Sequence, residues 1–338
     1  MQTPPANLIR RKFHDRLVLD IVESTDSRNS FLEDVARGLA AVPKTIPPKY
    51  FYDEKGSQLF EAITELEEYY PTRTEAAILG RWGDEMLDAA GEELTVVELG
   101  SGSSTKTRLL LDRLSARQSR VDYIPIDISP TVVTEFGERL LHDYPSLHIR
   151  GLICDYHRAL GELQEHPAVR RLYLFLGSSM GNFTPVQAEA LLTEIRAAMS
   201  PQDRLLLGLD LKKDPAVLER AYDDAKGVTA AFNLNLLERI NRELGGRFDR
   251  ERFRHLALYN AEHGRVEMHL ESTVGQIVPV DAMHRSVSFY EGERIHTENS
   301  YKFDREQLER LLGQAGLALE HQWLDENGWF SLNMAAPA

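Results

Sequence analysis

Residues 96–114 read VVELGSGSSTKTRLLLDRL. An apolar run leads into a glycine turn, and a helix with leucines on one face follows. Working outward, further strand-like runs fall at Thr95–Leu99, Val121–Asp127, His148–Cys154, Leu172–Leu176 and Arg204–Asp210. Helical runs separate them. One of these, Pro130–Asp143, opens on Ser129-Pro130, a good N-cap and first-turn pair. Strand and helix in regular alternation predict a parallel sheet with helices on both faces.

The pattern changes after Asp210. NLNLLERINREL places Leu236, Leu237, Ile240 and Leu244 on one helical face and stops at Gly245-Gly246. Period-two segments follow, FRHLALYN, RVEMHLEST and RSVSFYEGERIHTENSYKF, which read as half-exposed antiparallel strands. The chain then closes on DREQLERLLGQAG, a helix with Asp304 and Gln307 as a capping box and Gly316 near its end. Two strands joined by a tight turn at Asn327-Gly328 complete it. A parallel sheet that ends in a helix and a hairpin predicts an α/β, Rossmann-like, seven-stranded sheet. Residues 73–212 and 302–338 form that domain. Residues 1–72 and the insertion 213–301 form a second, α+β domain on the substrate side. The segment 1–75 reads as polar and helical in rhythm, interrupted by Pro43, Pro47 and Pro48.

Composition narrows the function. The 338 residues are 42% hydrophobic and carry a formal net charge of −14. That charge argues against nucleic acid or an anionic membrane as the main partner. The single cysteine, Cys154, excludes an internal disulfide and reads as buried core. The eleven histidines contain no His-x-x-x-His pair, so no metal site is expected. Arg10, Arg11 and Lys12 precede no apolar run of signal-peptide length, and no run is long enough to span a bilayer. The expectation is a cytoplasmic monomer acting on a small molecule.

The glycine turn has three readings. A dinucleotide fingerprint needs G-x-G-x-x-G, and the third position here is Thr105, which obstructs close helix–strand packing. A triphosphate loop needs G-x-x-x-x-G-K-[ST]. GSGSSTKT is one residue short, with Thr105 where glycine belongs, although Lys106 and Thr107 tempt the reader. S-adenosylmethionine (SAM) needs acids at successive strand ends around the turn. Glu98 with Gly100 and Gly102, then Asp127, then Asp155 beside Tyr156 supply them in order, at the strand ends where ligands of open sheets bind. The SAM reading accounts for most of the turn.

The chain as a whole resembles the histidine-specific SAM methyltransferases, the L-histidine Nα-methyltransferases of ergothioneine biosynthesis. PPKYFYDEKGSQLFEAITELEEYYPTRTEAAIL, VELGSGSSTKT, FLGSSMGNFTP, LLLGLDLKKD, AYDD, GVTAAFN, INRELGGRFD, VEMHL and TENSYKF carry the resemblance, in order, over nearly everything after residue 40. The resemblance implies a class I SAM methyltransferase domain with SAM as methyl donor, a second domain for the amino acid, and trimethylation of the histidine α-amine to hercynine. It puts Gly100, Lys106, Asp127 and Asp155 on SAM-binding positions, with Tyr156 beside the adenine ring. It puts Tyr69 and Asn182 at the amino and carboxylate end of the substrate, and Tyr222 on its carboxylate. Tyr52 falls near the reacting amine, so Tyr52 and Asn182 are the catalytic candidates. Glu298 and Ser300 recognise the imidazole, and Met268 lines the side-chain pocket.

These residue types suit that chemistry. A sulfonium is already a good leaving group, so positioning the amine is the main task. Asn182 can hold an amine by its side-chain oxygen, and tyrosine rings tolerate growing positive charge. Glu298 and Ser300 lie two apart in a period-two stretch and share a face. On pattern alone the readings are plainer. Tyr69 and Met268 are core, Glu298 is a solvated face, Asn182 is a turn residue and Lys106 a solvated first-turn lysine. Other readings of the chain are a methyltransferase for another amino acid or amine, a phosphotransferase using Lys106, and a binding module without turnover.

Overall fold

The structure is a computed structural model, which describes residues 8–22, 27–102, 104–166 and 170–338. Residues 1–7 and 23–26 of the N-terminal segment, and Ser103 of the glycine turn, lie outside the described residues. The chain divides into two compact units: Met1–Thr25, Arg73–Leu211 and Phe303–Ala338, and Asp26–Thr72 with Lys212–Lys302.

The first unit is built on a nine-stranded sheet. Its order is Leu8–His14, Leu17–Val22, Leu147–Ile153, Val121–Asp127, Thr95–Leu99, Arg171–Phe175, Arg204–Asp210, Phe330–Pro337, Leu317–Leu324. The five strands from Leu147–Ile153 to Arg204–Asp210 are mutually parallel. Phe330–Pro337 runs antiparallel beside Arg204–Asp210. Leu317–Leu324 pairs antiparallel with Phe330–Pro337 and completes seven strands in the order of a class I SAM methyltransferase sheet, with the final hairpin in the expected place. Their central positions are almost wholly apolar. Val96, Val97, Leu172, Leu174, Leu205 and Leu206 have no exposed surface, as strands covered on both faces require.

Two strands exceed the expected seven. Leu17–Val22 adds in parallel to Leu147–Ile153, and Leu8–His14 pairs with it as an edge hairpin. The N-terminal segment is therefore not helical throughout, and its first part belongs to the sheet unit. Alternation explains it: Leu17 and Leu19 are fully buried on one face. Asp20, 1% exposed, is clamped on the sheet by Arg10 (2.6 Å) and Arg150 (2.7 Å). Those charges, scattered along the sequence, hid a strand behind a polar composition. Cys154 is half-buried rather than core.

The second unit has a four-stranded sheet ordered Lys44–Thr45, Arg294–Tyr301, Arg265–Ser272, Phe253–Asn260. Helix Val228–Leu244 is tied to it by Asn233, which donates to His255 and to the His269 carbonyl, and its Phe232, Leu236, Leu237 and Ile240 are all buried. The helix ends on Gly245 in the left-handed conformation, φ 65°, as the Gly-Gly stop requires. Asp224 caps its start, accepting from Val228 N (3.0 Å) and Thr229 N (2.7 Å). Among the described residues no helix is long and apolar enough to cross a membrane.

Candidate active site

Strand order reverses at Thr95–Leu99. The chain winds from it to Val121–Asp127 and Leu147–Ile153 on one side, then to Arg171–Phe175 and Arg204–Asp210 on the other. Open sheets bind ligands outside the carboxyl ends of the strands at such a reversal. The loops there are tightly made. Gly100 donates its N–H to Ile126 O at 2.9 Å and adopts φ 72°. A β-carbon on it would lie 2.7 Å from the Tyr156 hydroxyl, so a side chain is excluded twice over. Asp127 accepts from Gly102 N (3.1 Å) and Ser129 N (3.0 Å), which ties the second strand end to the glycine turn. Loss of solvation pushes its carboxyl above the usual range. Asp155 caps helix Tyr156–Glu165 through Arg158 N at 3.0 Å and is exposed. Tyr156 sits edge-on to Phe175, with centroids 5.6 Å apart, and 6.5 Å from Phe183.

The turn Ser179–Asn182 follows the fourth parallel strand. Gly177 N donates to both carboxylate oxygens of Glu75 at 2.9 Å. Ser178 takes a left-handed backbone, φ 56°, and its hydroxyl accepts from Asp210 N at 2.9 Å. Ser179 Oγ donates to Leu176 O at 2.9 Å. Three side-chain contacts therefore fix the backbone that carries Asn182.

In the second unit, strand Arg294–Tyr301 lies beside Arg265–Ser272 with Met268 opposite Glu298 and Val266 opposite Ser300. Ser300 shares a hydrogen bond with Tyr222 Oη at 2.7 Å. Lys302 donates to both, at 2.7 Å to Ser300 and 3.1 Å to Tyr222, and is itself 2% exposed. The Tyr222–Ser300 bond uses one of the two hydroxyl protons, so at most one can point at a ligand. Glu298 is half-buried, and loss of solvation pushes its carboxyl up to about 7 against the pull of Lys302. Tyr222 is positioned from behind. His255 Nε2 donates to its carbonyl (2.8 Å), while His255 Nδ1 accepts from the buried Asn233 (2.8 Å).

The tyrosines meet through phenylalanines. Tyr69 is edge-on to Tyr222 at 6.1 Å and to Phe60 at 6.3 Å. Tyr52 is edge-on to Phe60 at 5.5 Å and Phe232 at 5.8 Å. Asp53 anchors the Tyr52 turn, capping the next helix through Gly56 N (2.7 Å) and accepting from Asn235 (2.8 Å) and Arg242 (2.5 Å).

The family model for histidine-specific, SAM-dependent methyltransferases matches residues 31–337. This chain belongs to that family. Among curated relatives of this histidine-specific methyltransferase, the histidine N-alpha-methyltransferase of Mycolicibacterium smegmatis is 46% identical over 303 residues, 89% of this chain and 93% of that one. Ergothioneine biosynthesis protein 1 of Neurospora crassa is 34% identical over 289 residues, 83% of this chain and 32% of its own length. A 4-dimethylallyltryptophan N-methyltransferase of Claviceps purpurea is 28% identical over 331 residues, 91% of this chain and 95% of that one.

For a histidine-specific methyltransferase, two expectations about the turn change. Glu98 is engaged within the fold: it is 4% exposed, accepts from Thr107 Oγ1 at 2.6 Å and bonds Tyr123 Oη. It braces the first strand to the helix start. Lys106 is no solvated lysine, since its amine is engaged by the fully buried Glu75. The structure brings Tyr52, Tyr69 and Tyr222 into one aromatic cluster, and Met268, Glu298 and Ser300 onto one strand pair. Phe60, Phe232, Phe183, Glu75 and Lys302 escaped sequence reasoning. Lys302 alone had a signal, because Glu298, Ser300 and Lys302 continue one period-two face.

Proposed function

We propose that this methyltransferase trimethylates the α-amino group of L-histidine to hercynine, a step of ergothioneine biosynthesis. The 46% identity to a histidine N-alpha-methyltransferase across nearly the whole of both chains carries the reading. The side chains fit it. SAM supplies the methyl group on a sulfonium. In the first unit Gly100 admits close backbone approach, Asp127 serves as acceptor for ribose hydroxyls, Asp155 accepts from the adenine amine, and Tyr156 packs on the ring. Lys106 contributes through its Glu75 pair, which sets the Gly177 turn.

In the second unit Glu298 accepts one imidazole N–H and the Ser300 hydroxyl serves the other nitrogen. Met268 lines the ring's path, and Tyr222 with Tyr69 takes the carboxylate and amine end. Tyr52 serves the reacting amine, and Asn182, a residue of the first unit, can hold an amine by its side-chain oxygen. Each transfer forms an N–C bond as the C–S bond breaks to leave S-adenosylhomocysteine, and the ammonium loses a proton to solvent before every transfer. The trimethylammonium product has no N–H to donate, so aromatic faces are the partners left to it. Phenylalanine in place of histidine offers Glu298 no N–H and the Ser300 hydroxyl no ring nitrogen.

Action on a prenylated tryptophan, the substrate named for the Claviceps relative, is the second reading, and the polar pair Glu298–Ser300 disfavours it. Calorimetric titration with SAM and then L-histidine, against 4-dimethylallyltryptophan, distinguishes them. Saturable histidine binding supports the proposal, and binding of the prenylated tryptophan alone rejects it.

A further inference from the structure

We infer that Glu75 is a positioning residue of the methyl-donor site, whose buried carboxylate holds the end of the glycine turn and the loop after the fourth parallel strand in one geometry. The inference rests on the reading of those strand-end loops as the SAM site. Glu75 lies near the start of helix Tyr70–Ala90. Ile78 and Leu79, three and four residues on, share its side of the helix and are buried, so the acid stands in an apolar stripe. It has no exposed surface. A carboxylate in such a place is retained only with partners.

The fold is shaped around it. Gly177 N lies 2.9 Å from each carboxylate oxygen, and Lys106 pairs with Oε2. On strand Arg204–Asp210, a β-carbon at Gly208 would lie 1.9 Å from Oε1 and 3.1 Å from Cδ of Glu75. Gly208 sits opposite Leu332 in the regular ladder, and its φ lies outside the left-handed region. Its backbone therefore calls for no glycine, and the carboxylate is what forbids a side chain there. A β-carbon on Gly177 would in turn crowd Lys106 Nζ at 3.2 Å. All four residues belong to the first unit.

Buried ion pairs seldom add net stability, because desolvation offsets their attraction. What this pair supplies is geometry. Lys106 follows the strand at which the order reverses, and Gly177 follows its neighbour Arg171–Phe175. The carboxylate thus ties together two loops that flank the crevice where open sheets take their ligands. Lys106 also has an alternative partner. Burial raises the Glu98 carboxyl, Lys106 opposes that rise and Glu75 adds to it, so one ammonium acts on two buried acids. Without the Glu75 charge the ammonium is drawn to Glu98 or to solvent, and the two loops lose their common anchor.

The test is calorimetric titration of the full-length protein and its variants with SAM, alongside thermal melting. Glu75→Gln keeps the volume and drops the charge. It should still unfold cooperatively and bind SAM about tenfold or more weaker than wild type. Glu75→Ala should also lose SAM affinity and melt at a lower temperature. Gly208→Ala added to Glu75→Ala puts a methyl where the carboxylate was. That double variant should recover most of the melting temperature and none of the SAM affinity. Wild-type SAM affinity in Glu75→Gln overturns the assignment. Recovery of affinity together with stability in the double variant overturns it too, because packing alone would then account for the residue. These readouts need no histidine, so the assignment stands or falls separately from trimethylation.

Discussion

The side-chain nitrogen of Lys302 lies 2.7 Å from Ser300 Oγ and 3.1 Å from Tyr222 Oη, and none of the three residues is more than 8% exposed. One buried cation thus orients two hydroxyls and favours the ionised form of Glu298. A positioning residue of this kind is tested by Lys302→Met. Losing a charge-assisted donor costs about 1.5–3 kcal/mol, so histidine affinity should fall about tenfold or more. SAM affinity should stay within about twofold, since Lys302 belongs to the other unit. The midpoint of the pH dependence of histidine binding should move upward, because the cation that lowers the Glu298 carboxyl is gone. Calorimetry across pH reads all three. Parallel loss of both ligands with an unmoved midpoint would reduce Lys302 to a packing role.

Glu298 carries its own pH signature. Its carboxyl is pushed up to about 7, and only the ionised form accepts an imidazole N–H without giving up a proton site. Histidine binding should therefore tighten as pH rises through about 7. In Glu298→Gln that step should vanish, while the substrate's own imidazole titration remains in both proteins. Glu298→Ala should weaken histidine by about 10–100-fold and leave SAM nearly unchanged. Equal losses for both ligands would contradict the assignment.

Glu98 gives a stability prediction. Burial raises its carboxyl from 4.5 to about 7 in the folded chain. As pH rises above 4.5 the unfolded chain releases this proton first, so folding stability declines across that window and levels off above about 7. The contribution is fully present at low pH and lost at high pH. Glu98→Gln should flatten the difference between urea unfolding at pH 5 and at pH 8 relative to wild type. An unchanged slope would show that Glu98 is not the titrating group.

Much of this was legible in sequence because it rests on local physics. The five parallel strands, the Asp304–Gln307 capping box and the Gly245 stop follow from alternation, caps and glycine conformation, and all appear in the structure. The edge hairpin Leu8–Val22 did not announce itself, since Asp20 is neutralised by Arg10 and by Arg150, far along the chain. The partners of Lys106 and Glu98 were hidden for a related reason. Glu75 lies on the polar-looking start of a helix, and Tyr123 lies within an apolar strand. Long-range pairing of charge leaves no period in the sequence. Phe60 and Phe232 carry no signal of their own in the sequence, and only the fold reveals that they join Tyr52 to Tyr69.

Those phenylalanines supply a packing test. Phe232 is 3% exposed and touches the rings of Phe51, Tyr52 and Phe60. Phe232→Ala should cost about 3–5 kcal/mol of stability. Phe232→Leu should restore most of it, and denaturant unfolding measures both. A near-neutral alanine variant would mean the cluster is loosely packed.

The most direct test of the account is mass spectrometry of L-histidine incubated with the purified protein and SAM. Trimethylation of the α-amine requires a product three methyl groups heavier, with mono- and dimethyl species rising and falling before it, and S-adenosylhomocysteine formed in step. Histidine left unchanged by a protein that binds SAM would contradict it and direct the search to another amine.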